Sequence, residues 1–153
     1  MTTSRIFLDA NVPLYAVGAP SPYREPCRRL LLAAAQGNQQ FVTDVEVLQE
    51  LLHVLRRDRD WKRRAPAFYD FSATMGDSAL PVERDDVIRA ADLADGEGRS
   101  ASTRDLIHVA VMRRHGLSRI ASADRGFDVF DGVTRLDPAA LDEWADPAWF
   151  PAD

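Results

Sequence analysis

Short apolar runs alternate with stretches of helical periodicity along nearly the whole chain, and this alternation limits the possible architectures more than any other feature. The run Ile6-Phe7-Leu8 stops at Asp9, and Pro13 follows with a residue type suited to the first turn of a helix. Leucines and alanines recur at helical spacing over 25–36, where Gly37-Asn38 supplies a stop of the C-cap kind. A second brief strand fits 40–43. Thr43 and Glu46 then have capping-box spacing and open a helix. Its expected apolar face is Val45, Leu48, Leu51, Leu52 and Leu55, and its polar stripe is Glu46, Glu50, His53 and Arg57. Further helices are expected over 62–73, 85–95 and 104–115, with strands at 79–82, 119–122 and 133–136. The helix over 104–115 is apolar nearly all round and should be buried, with Gly116 ending it. Strands alternating with helices imply an α/β fold with a mostly parallel sheet covered by helices.

In such sheets ligands bind beyond the carboxyl ends of the strands, where loops lead into helices. Asp9 and Asp124 sit at two such ends, and Glu50 and Asp105 fall in early turns of the helices after Thr43 and Ser102. All four acids can therefore meet at one edge. Two carboxylates about 4 Å apart repel by roughly 4 kcal/mol at an effective dielectric near 20, so a fold holding four needs protons or a cation. Magnesium suits them: it takes hard oxygen ligands, keeps waters, and is held by one or two carboxylates plus substrate phosphate oxygens. Each acid also has a local explanation when taken alone. Asp9 has the residue type of a helix cap, Asp105 lies at capping-box distance from Ser102, and Asp124 and Asp128 flank Gly126 as turn residues do. Glu46 is better explained by capping than by catalysis. The joint pattern is what favours a site.

At 153 residues the chain is expected to form one domain, 1–153. Its 46% apolar and 28% charged residues are those of an ordinary globular protein. The apolar stretch from Leu30 to Ala35 is far shorter than the roughly 20 residues that span a bilayer, and the amino terminus lacks a basic-then-apolar leader pattern. A cytoplasmic location without membrane contact is the expectation. Cys27 is the only cysteine, which excludes an intramolecular disulfide and thiolate zinc sites that need two.

The net charge of −5 gives no global attraction for polyanions, an objection that weakens if cations neutralise several acids. The segment 56–64 carries six basic residues and two acids. It reads either as a solvated inter-helix surface or as a place where Arg63 and Arg64 hold the phosphates of a nucleic acid, with Arg113, Arg114 or Arg125 as helpers. His53 and His108 read as polar-face or hydrogen-bonded residues rather than ligands, and His115 as a partner of its helix's carboxyl end. Trp144, Trp149 and Phe150 are expected to pack on the domain, a homodimer or protein-partner contact being the functional alternative.

Four segments carry a resemblance. Ile6-Phe7-Leu8-Asp9-Ala10-Asn11, Glu50-Leu51-Leu52, Arg104-Asp105-Leu106-Ile107-His108-Val109-Ala110 and Ser122-Ala123-Asp124-Arg125-Gly126-Phe127-Asp128 resemble the four motifs of the PIN-domain family, in the family's order and across nearly the whole chain. The resemblance implies a three-layer α/β/α sandwich with a central parallel sheet and an endoribonuclease dependent on Mg²⁺ or Mn²⁺. A stand-alone domain of this length is most similar to VapC-type toxins of bacterial toxin-antitoxin pairs, which implies RNA as substrate, a cognate antitoxin as partner and a homodimer. By the same resemblance Asp9 and Asp105 match the principal metal ligands, with Asp124 and Glu50 completing the catalytic acidic set. Asn11 matches a polar position supporting the first aspartate, and Asp128 a less constant acid.

Three other readings compete. Glu50 with His53 and Asp105 with His108 resemble the paired ligands of di-iron proteins, but those need a four-helix bundle that the strand-like runs ending at Asp9 and Asp124 contradict. A phospho-accepting Asp9 of the haloacid or receiver kind lacks the companion residues such domains use. A catalytically silent PIN-like module that only binds RNA or protein has no reason to keep a repulsive acidic cluster.

Overall fold

A computed structural model of the chain describes residues 5–37, 39–57 and 59–152, so Asn38 and Asp58 lie outside the described residues. Five strands run parallel: β1 (Ile6–Leu8), β2 (Phe41–Asp44), β3 (Ala79–Leu80), β4 (Arg119–Ala121) and β5 (Thr134–Leu136), in the order β3-β2-β1-β4-β5. Helices α1 (Asn11–Val17), α2 (Arg24–Ala35), α3 (Val45–Arg57), α4 (Trp61–Met75), α5 (Arg84–Ala94), α6 (Thr103–Arg114) and the short α7 (Leu141–Trp144) complete a three-layer α/β/α sandwich. A parallel sheet covered on both faces buries its strands completely, and Ile6, Phe7 and Leu8 of the central strand are each 0% exposed.

The chain places β2 and β3 to one side of β1, then crosses to lay β4 and β5 on the other. Between β1 and β4 the winding reverses, which opens a crevice at their carboxyl ends. Asp9 leaves β1 and Ser122 leaves β4 at that crevice.

Two expectations need correction. Thr43 and Glu46 form no capping box: the Thr43 hydroxyl donates to the Leu8 carbonyl at 2.8 Å, tying β2 to β1, and Asp44 Oδ1 accepts the Val47 amide at 2.9 Å. Because the strand runs one residue further before α3 starts, the helical phase turns. Val47, Leu51 and Leu55 are buried, while Val45 is 42% exposed. The strand expected over 79–82 ends at Leu80, since Pro81 has no amide hydrogen to donate to the ladder. The other boundaries fall within two residues of expectation, and α6 buries Leu106, His108, Val109, Ala110, Val111 and Met112. Gly116 follows α6 at φ 67°, a conformation that costs a side chain energy.

The tail packs on the domain. Trp149 meets Phe41 edge-on with ring centroids 5.1 Å apart, and Trp144 Nε1 donates to the Asp137 carbonyl at 2.8 Å.

Gly98 fixes the loop before α6 against the core. A Cβ there would overlap Leu106 Cδ2 and lie 2.9 Å from Phe130 Cε1 and 3.1 Å from the Leu93 carbonyl, to which the Gly98 amide is bonded. Gly98→Ala is therefore expected to destabilise the fold by about 2 kcal/mol through overpacking, read as a lower urea midpoint with an unchanged slope.

Candidate metal centre

Asp9 is the centre of the crevice. It follows the buried end of β1, where its amide bonds to the Ala121 carbonyl at 3.2 Å, and it is itself only 5% exposed. Its Oδ1 accepts the Ala10 amide at 2.8 Å. Oδ2 accepts the Ser122 hydroxyl at 2.7 Å and the Asn11 amide group at 3.1 Å. Asn11 also donates to Ser122 Oγ at 2.9 Å, and that oxygen in turn accepts the Asp124 amide at 3.0 Å. This network joins the ends of β1 and β4 and fixes the direction of the Asp9 carboxylate.

Asp105 sits in the first turn of α6, its amide donating to the N-cap Ser102 Oγ at 3.2 Å. Its carboxylate faces the turn after β4, where a Cβ on Gly126 would lie 3.7 Å from Asp105 Oδ2 and 3.0 Å from Asp124 Oδ1. Gly126 thus lets the two carboxylates close on one spot. Asp124 Oδ1 accepts the Gly126 amide at 2.8 Å, so Asp124 holds its turn while remaining exposed at the crevice. Glu50 enters from α3, and its Oε1 meets Arg104 Nη1 at 3.1 Å.

The electrostatics record the crowding. Burial is the main cause that raises the Asp105 carboxyl to about 6, followed by the charges of Asp9 and Asp124. Asp9 is raised chiefly by burial, against the opposing effects of His108 and the Ser122 and Ala10 hydrogen bonds. Glu50 is raised by burial and then by Asp9, with Arg104 pulling the other way. The four acids named from the sequence therefore share one electrostatic site.

Behind them lies a pair that the sequence did not single out. His108, expected on a polar face or hydrogen-bonded, is wholly buried, and its Nδ1 lies 2.8 Å from Oδ2 of the equally buried Asp44. Its Nε2 points at the crevice, 4.0 Å from Asp9 Oδ1, with no hydrogen-bond partner among the described residues. Burial alone would lower the imidazole pKa; the bond and charge of Asp44, then Asp9 and Asp105, outweigh it and bring it up to about 9. The carboxylates of Asp44, Asp9 and Asp105 thus favour the charged imidazole against its burial. The only local signal for Asp44 is its place at the start of α3, which is also the signal of an ordinary cap. Arg104 reads from the sequence only as the first residue of its motif, with no role, because its partner Glu50 lies on another helix.

The remaining candidates stand apart. Asp128 pairs with Arg135 at 3.0 Å, and that arginine also donates to the Ser122 carbonyl at 3.2 Å, so Asp128 reaches the crevice only through Arg135. Arg113 is bound to Glu97 at 2.7 Å and Arg114 to buried Asp86 at 2.8 Å, so both cations brace α5 and the loop after it against α6. Arg63 pairs with Asp60 at 2.6 Å, and it and Arg64 lie in the first turn of α4, past the end of α3. At a rise of about 1.5 Å per residue, the end of α3 is roughly 10 Å beyond Glu50. Arg125 is exposed next to Asp124. His53 is exposed on α3, and His115 is lowered mainly by burial, then by Arg114.

A divalent cation fits these residues. Asp9, Glu50 and His108 each offer a donor atom, all within 4.8 Å of one another, and the orphaned buried Nε2 is a donor without a partner. Carboxylates gathered at the switch point of a parallel α/β/α sandwich lie where such sheets place their ligand sites. Residues 6–133 match the PIN domain model, and the chain belongs to the PIN-domain family. It is 44% identical over 133 residues to VapC ribonuclease Mb1869c of Mycobacterium bovis and, to the same extent, to ribonuclease VapC13 of Mycobacterium tuberculosis, covering 86% of this chain and 98% of each relative. Ribonuclease VapC23 of M. tuberculosis is 34% identical over 129 residues, 78% of this chain and 92% of its own. Among solved structures the fold is similar to that of VapBC2 from Rickettsia felis bound to a promoter DNA fragment, with a TM-score of 0.65 and 12% identity over 86% of this chain and 96% of that one. It is also similar to that of FitAB bound to the IR36 DNA fragment, with a TM-score of 0.68 and 17% identity over 89% and 96%.

Proposed function

We propose that the protein is a magnesium-dependent endoribonuclease, a cytoplasmic toxin of a type II toxin-antitoxin pair, acting as one nuclease domain. The observation that carries this reading is the meeting of Asp9, Glu50, Asp105 and Asp124 at the β1/β4 switch point, with burial and mutual repulsion raising Asp9, Glu50 and Asp105. The VapC ribonuclease relatives at 44% identity support the substrate class. Asp9, Asp105 and Asp124 would hold the ion, which when bound supplies charge neutralisation at the scissile phosphate and an acidified water. Glu50 lies across from them and orients the attacking water or serves a second ion. Asn11 and Ser122 keep Asp9 aimed. Arg104, 3.1 Å from Glu50, and exposed Arg125, which follows Asp124 in the chain, would contact the RNA backbone, with Arg63 and Arg64 engaging phosphates further along the strand.

The same reading supplies the partners: a cognate antitoxin and a second copy of the chain. An uncovered apolar cleft of about 430 Å³ between α1, α2 and α4 supports a protein partner, since Val17 and Leu32 there are 51% and 64% exposed. Among the described residues, no helix is long and apolar enough to cross a membrane.

The test is cleavage of a defined RNA by the purified protein. Chelator should abolish it and added Mg²⁺ or Mn²⁺ restore it. Cleavage that persists in excess chelator, or that no divalent ion restores, would reject the reading.

A further inference from the structure

The metal-dependent reading above leaves one group unused: the buried imidazole of His108. Its Nε2 has no hydrogen-bond partner, faces Asp9 at 4.0 Å, and belongs to a set of three donor atoms within 4.8 Å of one another. Two donors each about 2.1 Å from one ion lie at most about 4.2 Å apart, so the Asp9 to His108 distance already suits a shared ion. Glu50, whose donor atom lies within 4.8 Å of the other two, would have to move closer by a change of rotamer to share that ion. The ring is held in place from behind by Asp44 Oδ2, 2.8 Å from Nδ1, and flanked by Phe7 at 5.4 Å between centroids. A carboxylate on one imidazole nitrogen with a metal on the other is a recurrent arrangement, because the carboxylate fixes the hydrogen on its own side and leaves a lone pair on the other.

We propose that His108 is a nitrogen ligand of this centre: its Nε2, with Asp9 and Glu50, forms a cation position oriented by Asp44 that takes a transition ion such as Mn²⁺ in preference to Mg²⁺. Imidazole suits first-row transition ions, whereas Mg²⁺ is matched by oxygen alone. The centre then has two unlike halves that share Asp9. One is built from carboxylates, with Asp105 and Asp124; the other contains a nitrogen.

Pulsed electron paramagnetic resonance of the Mn²⁺-loaded full chain tests this without reference to activity. Wild-type protein should show nitrogen hyperfine coupling that changes when histidine is isotopically labelled. His53, exposed on α3, and half-buried His115, at the opposite end of α6 from Asp105, are poorly placed to produce it. His108→Gln should remove the coupling and weaken Mn²⁺ binding at least about 10-fold while changing Mg²⁺ binding less. Asp44→Asn keeps an oxygen for the Val47 amide but offers Nδ1 a donor, which moves the ring hydrogen to Nε2. It should weaken Mn²⁺ binding by a similar factor. Bound Mn²⁺ with no nitrogen coupling in the wild type would overturn the inference and leave the nuclease reading standing. Absence of any Mn²⁺ or Mg²⁺ binding would overturn both.

Discussion

Asp105→Asn is expected to lower RNA cleavage at least about 100-fold, the scale of a lost transition-state electrostatic contact, while making the metal-free protein more stable. The two effects have opposite signs because the carboxylate is costly to the fold and useful only with a cation. Burial, then Asp9 and Asp124, raises Asp105 to about 6, so folding favours its protonated form. The native state is therefore penalised as pH rises from the ordinary aspartate range through about 6, and the penalty is complete above that. In chelator at pH 8 the variant should gain about 1 to 2 kcal/mol over wild type, allowing for partial solvent exposure. At pH 3, below both the ordinary aspartate value of 3.8 and the native value of about 6, the wild-type carboxyl is largely protonated in both states and the gain should vanish. Adding Mg²⁺ should stabilise wild type more than the variant, because only binding to the native state shifts the equilibrium. Urea titrations at the two pH values, with and without metal, measure all of this; a variant less stable than wild type in chelator at pH 8 would contradict the crowded site.

Asp44→Ala is expected to cost about 4 kcal/mol. Both Asp44 and His108 are 0% exposed, and removing one member of a buried charged pair leaves the other without compensation. The same substitution strips the cap from the Val47 amide, which adds roughly 1 kcal/mol. His108 is raised to about 9 although burial pulls it down, so its stabilisation is present below the ordinary imidazole range and is lost as pH rises through about 9. In chelator, wild-type stability should therefore fall from pH 6.5 to 9, and Asp44→Ala should flatten that fall. A loss under 1 kcal/mol in denaturant unfolding would mean that the pair does not hold the fold together.

The two variants separate the layers of the centre. On the proposed reading Asp105 would contribute to chemistry at a cost in stability, whereas Asp44 would contribute stability and, wholly buried, lies beyond direct reach of a bound substrate. A single measurement of activity would not distinguish them, since both variants should be poor enzymes.

Much of this was legible before any coordinates. Local periodicity located the strands and helices because burial of a parallel strand and of an amphipathic helix leaves a mark on neighbouring residues. The strand-to-helix junctions at Asp9 and Asp124, with the helix starts before Glu50 and Asp105, put four acids on one edge, and the fold brings Glu50, Asp105 and Asp124 within electrostatic range of one another or of Asp9 there. Errors arose where one residue's phase decided the outcome: Thr43 spends its hydroxyl on Leu8, so Asp44 became the cap and α3 turned.

What the chain order could not contain is the pairing of Asp44 with His108, 64 residues away, or the aim of Nε2 at Asp9. Residue type and spacing describe each of them as an ordinary cap and an ordinary helix histidine. Only the packing of α6 against the end of β2 makes them a pair, because the energy of a buried charge is set by what surrounds it in space and not by its neighbours along the chain.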